Sequence, residues 1–401
     1  MEEPFASHSS ISDNRCGRSK METLSPSDAN ELGHALAESA VAGHAIALRG
    51  AGSKAAMGGP LADCAVELRL DRLSGILEYE PHDLTIRVAA GTPWRQLAST
   101  LAAQGQMLPL DPPCAATATV GGVVASNSSG PRRRYFGTAR DMVIGMTLAT
   151  LEGKLLQTGG MVVKNVAGLD TGKALIGSFG TLAAIASVNF KLAPLSEASR
   201  TFVFAFDSEQ ECLAQRDRVL AGVLQPAAVD ILNPAAAVLT GQDGFLLAIR
   251  AGGSETILAR YARELAGSQA LDGEREADFW ETVQEFAPRW INQTGARSIV
   301  RVGHALSELD AVLKSAPGPC IARAGNGVTY LAVEGIDALQ AWMLATQMKA
   351  WGRVVEWSSL DVQCGCELWP GAKEDFAVME RLKLLFDPQR LLNRGRLYGR
   401  L

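Results

Sequence analysis

Hydrophobic residues follow two periods along the first half of the chain, one typical of helices and one typical of strands. Apolar positions three and four residues apart predict a helix that is capped by Ser27 and ends near Gly43. A second helix is expected to be capped by Thr92, with Pro93 in its first turn, and to end near Gly105. Shorter runs of β-type residues predict strands at residues 44–49, 76–79, 84–89 and 185–192.

The pattern changes after about residue 196. Strand-like runs such as 202–206 and 245–249 alternate with helical runs rich in Ala, Leu and Glu, and this alternation predicts a second domain of the α+β class. Residues 1–22 lack an apolar period and are interpreted as a disordered tail, in which Met21 is an alternative start. The predicted organisation is a tail at 1–22, a first domain at 23–195, an α+β domain at 196–370, and a C-terminal helix (roughly 373–385) with an arginine-rich tail at 371–401.

Composition narrows the classes of function. The 401 residues carry a net charge of −5 and 47% are hydrophobic, which is typical of a globular protein and argues against a nucleic-acid partner. The one dense basic run, Arg132 to Arg134, is equally consistent with a solvated loop. No segment resembles a membrane span, and the N-terminus lacks the basic start and apolar core of a secretory signal, so a cytoplasmic protein is expected.

The cysteines and histidines give no indication of a metal site. Seven scattered cysteines favour reduced thiols over a disulfide framework. The close pair, Cys364 and Cys366, offers two ligands, whereas an iron–sulfur cluster needs about four. None of the five histidines is spaced to share a metal ion with another, so we predict no metal.

A glycine-rich turn follows the strand predicted at residues 44–49. Gly50 to Ala55 fits the pattern G-x-G-x-x-A, and Asp71 lies about 20 residues further on, as in a Rossmann dinucleotide site. However, a Rossmann loop opens directly into a helix, and the sequence Gly58-Gly59-Pro60 is incompatible with one. Backbone N–H groups in such a turn can still form a nest for an anion, although a purely structural turn is the alternative.

A second glycine-rich segment, Thr117 to Asn127, strengthens the case for a binding site. Glycines allow the backbone to approach a ligand closely. Two such segments could enclose one extended cofactor from two sides.

Taken together, these segments resemble the FAD-binding domain of the vanillyl-alcohol-oxidase and p-cresol-methylhydroxylase class. The matching residues occur in the family's order: 49–53, 83–85, 90–92, 108–113, 119–122, Gly137, 140–141, 177–182 and Ile185. The resemblance implies an α+β protein of two lobes, a PCMH-type FAD-binding domain followed by a cap domain for the substrate. It also implies that the cofactor contacts are Arg49, Gly50, Ala51, Gly52, Ser53, Lys54, Pro109, Asp111, Thr117, Thr119, Gly121, Gly122, Ala125, Asn127, Gly180, Thr181 and Ile185.

A more specific resemblance is to the smaller flavin subunits of bacterial glycolate oxidases (glycolate dehydrogenases). It is carried by residues 108–113, 129–133 and 163–168 with Asp170, and more loosely by 279–281 and 386–388 with Asn393. The resemblance implies a complex with a larger FAD subunit and an iron–sulfur subunit. Such a complex oxidises glycolate to glyoxylate and passes electrons towards the respiratory chain, which would place the chain at the inner face of the membrane through its partners.

The sequence departs from the family's catalytic pattern. Many 2-hydroxy-acid dehydrogenases of this class carry His-x-Gly-Asp-Gly-Asn, but residues 322–327 here read Ala-Arg-Ala-Gly-Asn-Gly. Arg323 could bind a substrate carboxylate or form a structural salt bridge, and His304 could be a base or a packed side chain. A free-standing FAD-dependent dehydrogenase and a non-catalytic scaffold subunit therefore stay open as alternatives.

The FAD is expected to be non-covalent. Relatives that tether the flavin often use a histidine in the first loop or a cysteine in the second segment. Here the loop ends in Ser53-Lys54, and the second segment contains no cysteine, although Cys114 lies just before it.

Overall fold

The computed structural model of the protein describes residues 21–161, 171–369, 375–399 and 401. Its helices are α1 (Ala29–Val41), α2 (Trp94–Ala102), α3 (Val120–Ala125), α4 (Arg133–Phe136), α5 (Ala139–Met142), α6 (Glu209–Ala221), α7 (Pro234–Ala237), α8 (Glu255–Glu264), α9 (Gly273–Gln284), α10 (Phe286–Ile291), α11 (Leu309–Ser315), α12 (Ile336–Ala345), α13 (Leu360–Gly365) and α14 (Phe376–Phe386). Its strands are β1 (Glu22–Leu24), β2 (Ile46–Arg49), β3 (Val66–Arg69), β4 (Ile76–Glu80), β5 (Thr85–Ala89), β6 (Gln106–Met107), β7 (Val143–Ala149), β8 (Leu155–Gly159), β9 (Ala184–Lys191), β10 (Ala193–Pro194), β11 (Ala198–Phe206), β12 (Ala228–Leu232), β13 (Phe245–Gly253), β14 (Gln269–Leu271), β15 (Arg297–Gly303), β16 (Cys320–Arg323), β17 (Val328–Glu334) and β18 (Gly352–Ser358).

The first lobe begins with a small parallel sheet in the order β1-β3-β2. Helix α1 packs on it through Leu32 and Leu36, which are one turn apart and fully buried, against Ile46 and Leu68. Strand β1 starts at Glu22, inside the segment expected to be a tail; the rest of that segment, before residue 21, lies outside the described residues.

A five-stranded antiparallel sheet, β4-β5-β9-β7-β8, forms the other half of this lobe. Its central strand β9 is rich in β-branched and aromatic residues, and seven of its eight residues are buried. Helices α2 and α3 cover the sheet through Leu97, Leu101 and Val124, which join Val188 and Phe190 in one core. Helix α3 thereby holds the second glycine-rich segment next to the sheet.

The second lobe is built on an eight-stranded antiparallel sheet in the order β14-β11-β13-β12-β16-β17-β15-β18. Successive residues of a strand face opposite sides, so along β13 Leu247 and Ile249 enter one core while Leu246 and Ala248 enter another. Both faces of the sheet are therefore covered by helices or by the first lobe. The predicted α+β class is confirmed.

One of these cores joins the two lobes. Met57 of the first lobe is buried among side chains of the second, and Cys114 and Phe179 pack against the same cluster. Residues near both glycine-rich segments therefore contact the second lobe directly.

The C-terminal segment returns to the first lobe. Phe386 at the end of α14 packs against the core under β9, and Leu392 forms a parallel bridge with Ile46 at the edge of the parallel sheet. Helix α14 covers Phe376–Phe386, compared with the predicted 373–385, and the predicted start at residue 373 lies outside the described residues.

Two predicted helix caps are wrong. The carboxylate of Asp28, not Ser27, accepts the N–H groups of Asn30 and Glu31 at the start of α1. Thr92 does not cap α2, because its hydroxyl is used by both backbone groups of Gly75, accepting from the N–H at 2.9 Å and donating to the carbonyl at 3.2 Å. A local pattern identifies a residue that is able to cap, and tertiary contacts decide whether its side chain is free to do so.

Candidate functional site

A cavity of about 300 Å³ lies in the first lobe, between the glycine-rich loop, helix α3 and the C-terminal segment. It brings together twelve of the seventeen predicted cofactor contacts: Arg49, Gly50, Ala51, Gly52, Ser53, Lys54, Thr119, Gly121, Gly122, Ala125, Gly180 and Ile185. Segments far apart in the sequence thus form one site.

The loop after β2 presents unused hydrogen-bond donors. The backbone N–H groups of Ala51, Gly52 and Ser53 donate to no atom of the described chain. Gly52 has a φ of +74°, which a residue with a side chain rarely adopts. This run of free N–H groups in a tight turn is the arrangement that binds a diphosphate.

Arg396 fixes the other side of this loop. Its guanidinium donates to the carbonyls of Lys54, Ala55 and Gly59 at 2.9–3.0 Å. Burial lowers the pKa of Arg396 to about 10, so the group stays charged near neutrality. These carbonyls therefore have hydrogen-bond partners within the protein, whereas the N–H groups of Ala51, Gly52 and Ser53 have none in the described chain.

The glycines of the cavity wall have different reasons for lacking a side chain. A Cβ at Gly121 would lie 2.8 Å from the Cβ of Ala90, so this glycine is required by packing within the protein. A Cβ at Gly122 would meet only the Thr119 hydroxyl, at 3.2 Å, and nothing else within 4 Å. Gly122 therefore borders open space in the cavity.

Asn393 and Phe179 line the cavity but are not among the predicted cofactor contacts. The Asn393 side chain accepts the N–H of Leu48 and donates to the carbonyl of Phe179, both at 2.7 Å. Leu48, Phe179, Asn393 and Arg396 all line the cavity. Asn393 was noted as part of the C-terminal resemblance, but its spacing from the loop gave no sign of a contact.

Five predicted contacts do not line this cavity. Pro109 is buried in the first lobe, and Thr117 is exposed, with its hydroxyl 3.4 Å from the Cys114 carbonyl. Asn127 is exposed with a φ of +49°, and the hydroxyl of Thr181 donates to the Ser178 carbonyl.

The fifth of them, Asp111, has a partner of its own. It is buried and forms an ion pair with Arg132. Burial alone would raise the pKa of Asp111, but the Arg132 guanidinium outweighs this effect and holds it below its usual value. The basic run from Arg132 to Arg134 is therefore not a solvated loop, because Arg134 also donates to the Pro226 carbonyl in the second lobe.

A second, much smaller cavity of about 30 Å³ lies between the lobes. Asp111, Arg323, Tyr330, Glu356 and Trp357 are among its lining residues. A cavity of this size holds roughly one or two waters. It is too small for a hydroxy acid in the described conformation.

Arg323, the candidate for binding a substrate carboxylate, already binds a carboxylate of the protein. It is buried and forms an ion pair with Asp230, which is itself fully buried, and its guanidinium lies 5.4 Å from the Tyr330 ring centroid. Burial raises the pKa of Asp230, although the charge of Arg323 opposes this shift. The charge of Arg323 is thus largely balanced within the protein.

His304, the candidate base, lies away from both cavities. Its ring nitrogens are each 2.9 Å from an oxygen, Nδ1 from the Ala305 carbonyl and Nε2 from the Thr329 hydroxyl. Partial burial lowers its pKa. The geometry agrees with a packed histidine and gives it no access to the larger cavity.

Other candidate features give no site within the described residues. No group of three metal-binding side chains is placed to share an ion there, and five of the described cysteines are free thiols: Cys114, Cys212, Cys320, Cys364 and Cys366. The Sγ of Cys114 lies 3.5 Å from the Ser53 carbonyl. No helix in the described ranges is long and apolar enough to cross a membrane. The signature at residues 163–168 with Asp170 lies outside the described residues.

Comparisons with known proteins agree with this geometry. Residues 23–159 match the model of the FAD binding domain family. The chain is 30% identical over 357 residues to glycolate oxidase subunit GlcE of Escherichia coli, covering 89% of this chain and 93% of that protein. It is 28% identical to glycolate oxidase subunit GlcD of Bacillus subtilis over 188 residues, 47% of this chain and 40% of that one. Its fold matches 4-ethylphenol oxidase from Gulosibacter chungangensis with a TM-score of 0.71 and 13% identity, over 94% of this chain and 89% of that one.

The fold, the free loop donors and the family match define an FAD-dependent oxidoreductase with a PCMH-type FAD-binding domain. Within that class, the chain belongs to the family of glycolate oxidase subunit GlcE. The residues present fit FAD. Gly122 leaves room in the wall, the loop supplies unused N–H groups for the diphosphate, and FAD when bound supplies the two-electron chemistry.

Proposed function

We propose that the chain is the smaller FAD-binding subunit of a glycolate oxidase complex. A larger flavin subunit would oxidise glycolate to glyoxylate, and an iron–sulfur subunit would take the electrons. The observation that carries this proposal is similarity over nearly the whole length of both chains to subunit GlcE, together with the partial match to subunit GlcD. The chain would lie in the cytoplasm, at the inner face of the membrane through its partners.

In this proposal the residues of the chain hold and enclose the flavin rather than oxidise the hydroxy acid. Oxidation of a 2-hydroxy acid needs a base for the hydroxyl proton and a cation for the carboxylate, both close to the flavin. Arg323 is balanced by Asp230, and His304 does not line the larger cavity. The small cavity between the lobes also leaves no space for a substrate. These three features support a redox role that depends on a partner, and they speak against the free-standing dehydrogenase.

We also propose that the FAD is bound without a covalent bond. The loop offers Ser53 and Lys54 but no histidine. Cys114 is close to the loop, but burial raises the pKa of its thiol and so disfavours the nucleophilic thiolate.

Purification of the tagged chain from its own cells tests the proposal. We expect two partner chains, one with its own flavin and one with iron–sulfur absorbance, and we expect acid precipitation to leave a yellow supernatant. The purified complex should reduce a dye with glycolate. A monomeric chain that carries FAD and oxidises glycolate unaided would contradict the proposal. Flavin fluorescence on the denatured band of the chain would contradict the non-covalent linkage.

A further inference from the structure

Lys54 stands between the two cavities. Its side chain lines the larger cavity, its Nζ donates to the carbonyl of Pro113, and this Nζ lies 5.4 Å from the centroid of the Trp357 ring. Pro113 and Trp357 both line the smaller cavity. The ammonium is therefore placed at the end of the FAD cavity that adjoins the space between the lobes.

Most hydrogen-bond donors of the Lys54 ammonium have no acceptor in the described chain. It has three N–H donors, and the Pro113 carbonyl is the single acceptor that the described chain gives it. No described carboxylate forms an ion pair with it. Burial lowers the pKa of Lys54 from 10.5 to about 8, and the more distant charges of Cys114, Glu285 and Glu356 only partly oppose this shift. A buried cation with unused donors is unfavourable unless a ligand completes its contacts.

The diphosphate does not need this cation. The free N–H groups of Ala51, Gly52 and Ser53 come before Lys54 in the loop, and they already offer an anion site. The Lys54 side chain leads away from that part of the loop, towards Pro113 and Trp357. Apart from the diphosphate, FAD carries an adenosine, a ribityl chain and the flavin ring. Lys54 lies where the larger cavity adjoins the space between the lobes, and we assign the flavin ring to this end because a ring that exchanges electrons must be reached from there.

We propose that Lys54 donates to the flavin ring of bound FAD and that its positive charge favours the reduced ring. This inference rests on binding of FAD in the larger cavity. Reduction by two electrons with uptake of one proton leaves one negative charge on the ring. A cation beside the ring stabilises that charge more than it stabilises the neutral oxidised ring, because charges interact strongly in a poorly solvated site. Lys54 is then a residue that sets the redox potential of this subunit.

The test is the midpoint potential of FAD bound to the Lys54→Met variant, measured by reduction with dithionite beside a reference dye. Met keeps the length of the side chain and removes its charge. We expect reduction to become at least tenfold less favourable, a fall of about 30 mV for a two-electron couple. Sulfite, which adds to the oxidised ring and leaves it negatively charged, should bind at least tenfold more weakly. Lys54→Arg should restore most of both values, and Lys154→Met, at an exposed lysine paired with Glu152, should change neither.

An unchanged potential and an unchanged sulfite affinity in Lys54→Met would overturn the inference. If these two values were unchanged but the variant bound FAD more weakly, Lys54 would contact the diphosphate rather than the flavin ring. If Lys54→Met retains no flavin, the potential is measured in Lys54→Gln, which keeps a hydrogen-bond donor without the charge. An unchanged potential in Lys54→Gln would equally contradict the inference. A wild-type chain that binds no FAD would refute the cofactor site itself, which is a separate outcome from a failure at Lys54.

Discussion

At the scale of single residues, the cavity distinguishes glycines required by the fold from those required by the cofactor. Gly121 lies against Ala90, and a Cβ at Gly50 would approach the Thr119 hydroxyl to 2.4 Å. These two glycines allow segments of the protein to approach one another. Gly122 alone of the three faces space that FAD would fill.

We therefore expect Gly122→Val to fold and to bind FAD at least tenfold more weakly, because the new methyl groups would occupy the cofactor's volume. Flavin fluorescence titration and urea unfolding measure the two properties. Gly303→Val is a suitable control, since a Cβ there would meet no atom closer than 3.8 Å and the residue lies in the second lobe. Full flavin occupancy in Gly122→Val would mean that this segment is merely a turn.

The buried charge of Lys54 should make the stability of the flavin-free protein depend on pH. Its folded-state pKa is lowered from 10.5 to about 8. Below pH 8 the folded chain therefore carries an unfavourable buried charge, and this penalty is relieved as the pH rises from 8 to 10.5. The full effect is on the order of 3 kcal/mol.

Lys54→Met has no such penalty, so its stability advantage over the flavin-free wild type should shrink between pH 7.5 and pH 10. Urea unfolding at both pH values measures this difference. Titration of groups that do not interact with Lys54 cancels between the two proteins, and a Cys114→Ser background removes the thiol whose pKa the Lys54 charge lowers. An equal gap at the two pH values would show that Lys54 is not buried as a charge.

At the scale of elements, the C-terminal segment closes the FAD site from the far end of the sequence. Lys383 and Asp387 in and after α14 form a fully buried ion pair at 2.7 Å. Lys383 also donates to the carbonyls of Thr181 and Leu392, so Thr181 supports the cavity wall through its backbone rather than through its side chain. The anchored segment then places Asn393 between Leu48 and Phe179.

We expect Asn393→Ala to weaken FAD binding at least tenfold and to destabilise the fold by about 1–3 kcal/mol, because the Leu48 N–H and the Phe179 carbonyl would lose their partner. FAD titration and urea unfolding measure both effects. Arg394→Ala, which changes the exposed neighbouring side chain, should have little effect on either. Equal losses in the two variants would mean that the segment acts only through its backbone.

The sequence predicted elements better than it predicted contacts between them. Strands such as β5 and β9 follow from local pattern within one residue, and the start of α2 follows within two, whereas its end lies three residues before the predicted one. The Arg323–Asp230 pair joins positions 93 residues apart, and no local period could reveal it. The same reason explains Asp111, which the resemblance made a cofactor contact while its side chain forms an ion pair with Arg132.

At the scale of the whole molecule, the first lobe and the C-terminal segment form the cofactor site, and the second lobe packs beside it. The second lobe packs on Met57 and Phe179 next to the larger cavity, and the small cavity between the lobes has a volume of about 30 Å³. The most specific features of the site, the free loop donors and Lys54, belong to residues that line the larger cavity. A flavin held in this way is suited to exchange electrons with partner subunits.

The central claim is that this chain binds FAD but does not itself oxidise the hydroxy acid. The most direct measurement is anaerobic rapid mixing of the pure chain, reconstituted with FAD, with glycolate and with D-lactate. Loss of general acid–base catalysis alone lowers a rate about 10²–10⁴-fold, so flavin reduction by the acids should be measurably slower than in an active dehydrogenase. We expect that neither acid bleaches the flavin band while dithionite bleaches it fully. Rapid bleaching by either acid, with no partner present, would contradict the account and identify the chain as a free-standing dehydrogenase.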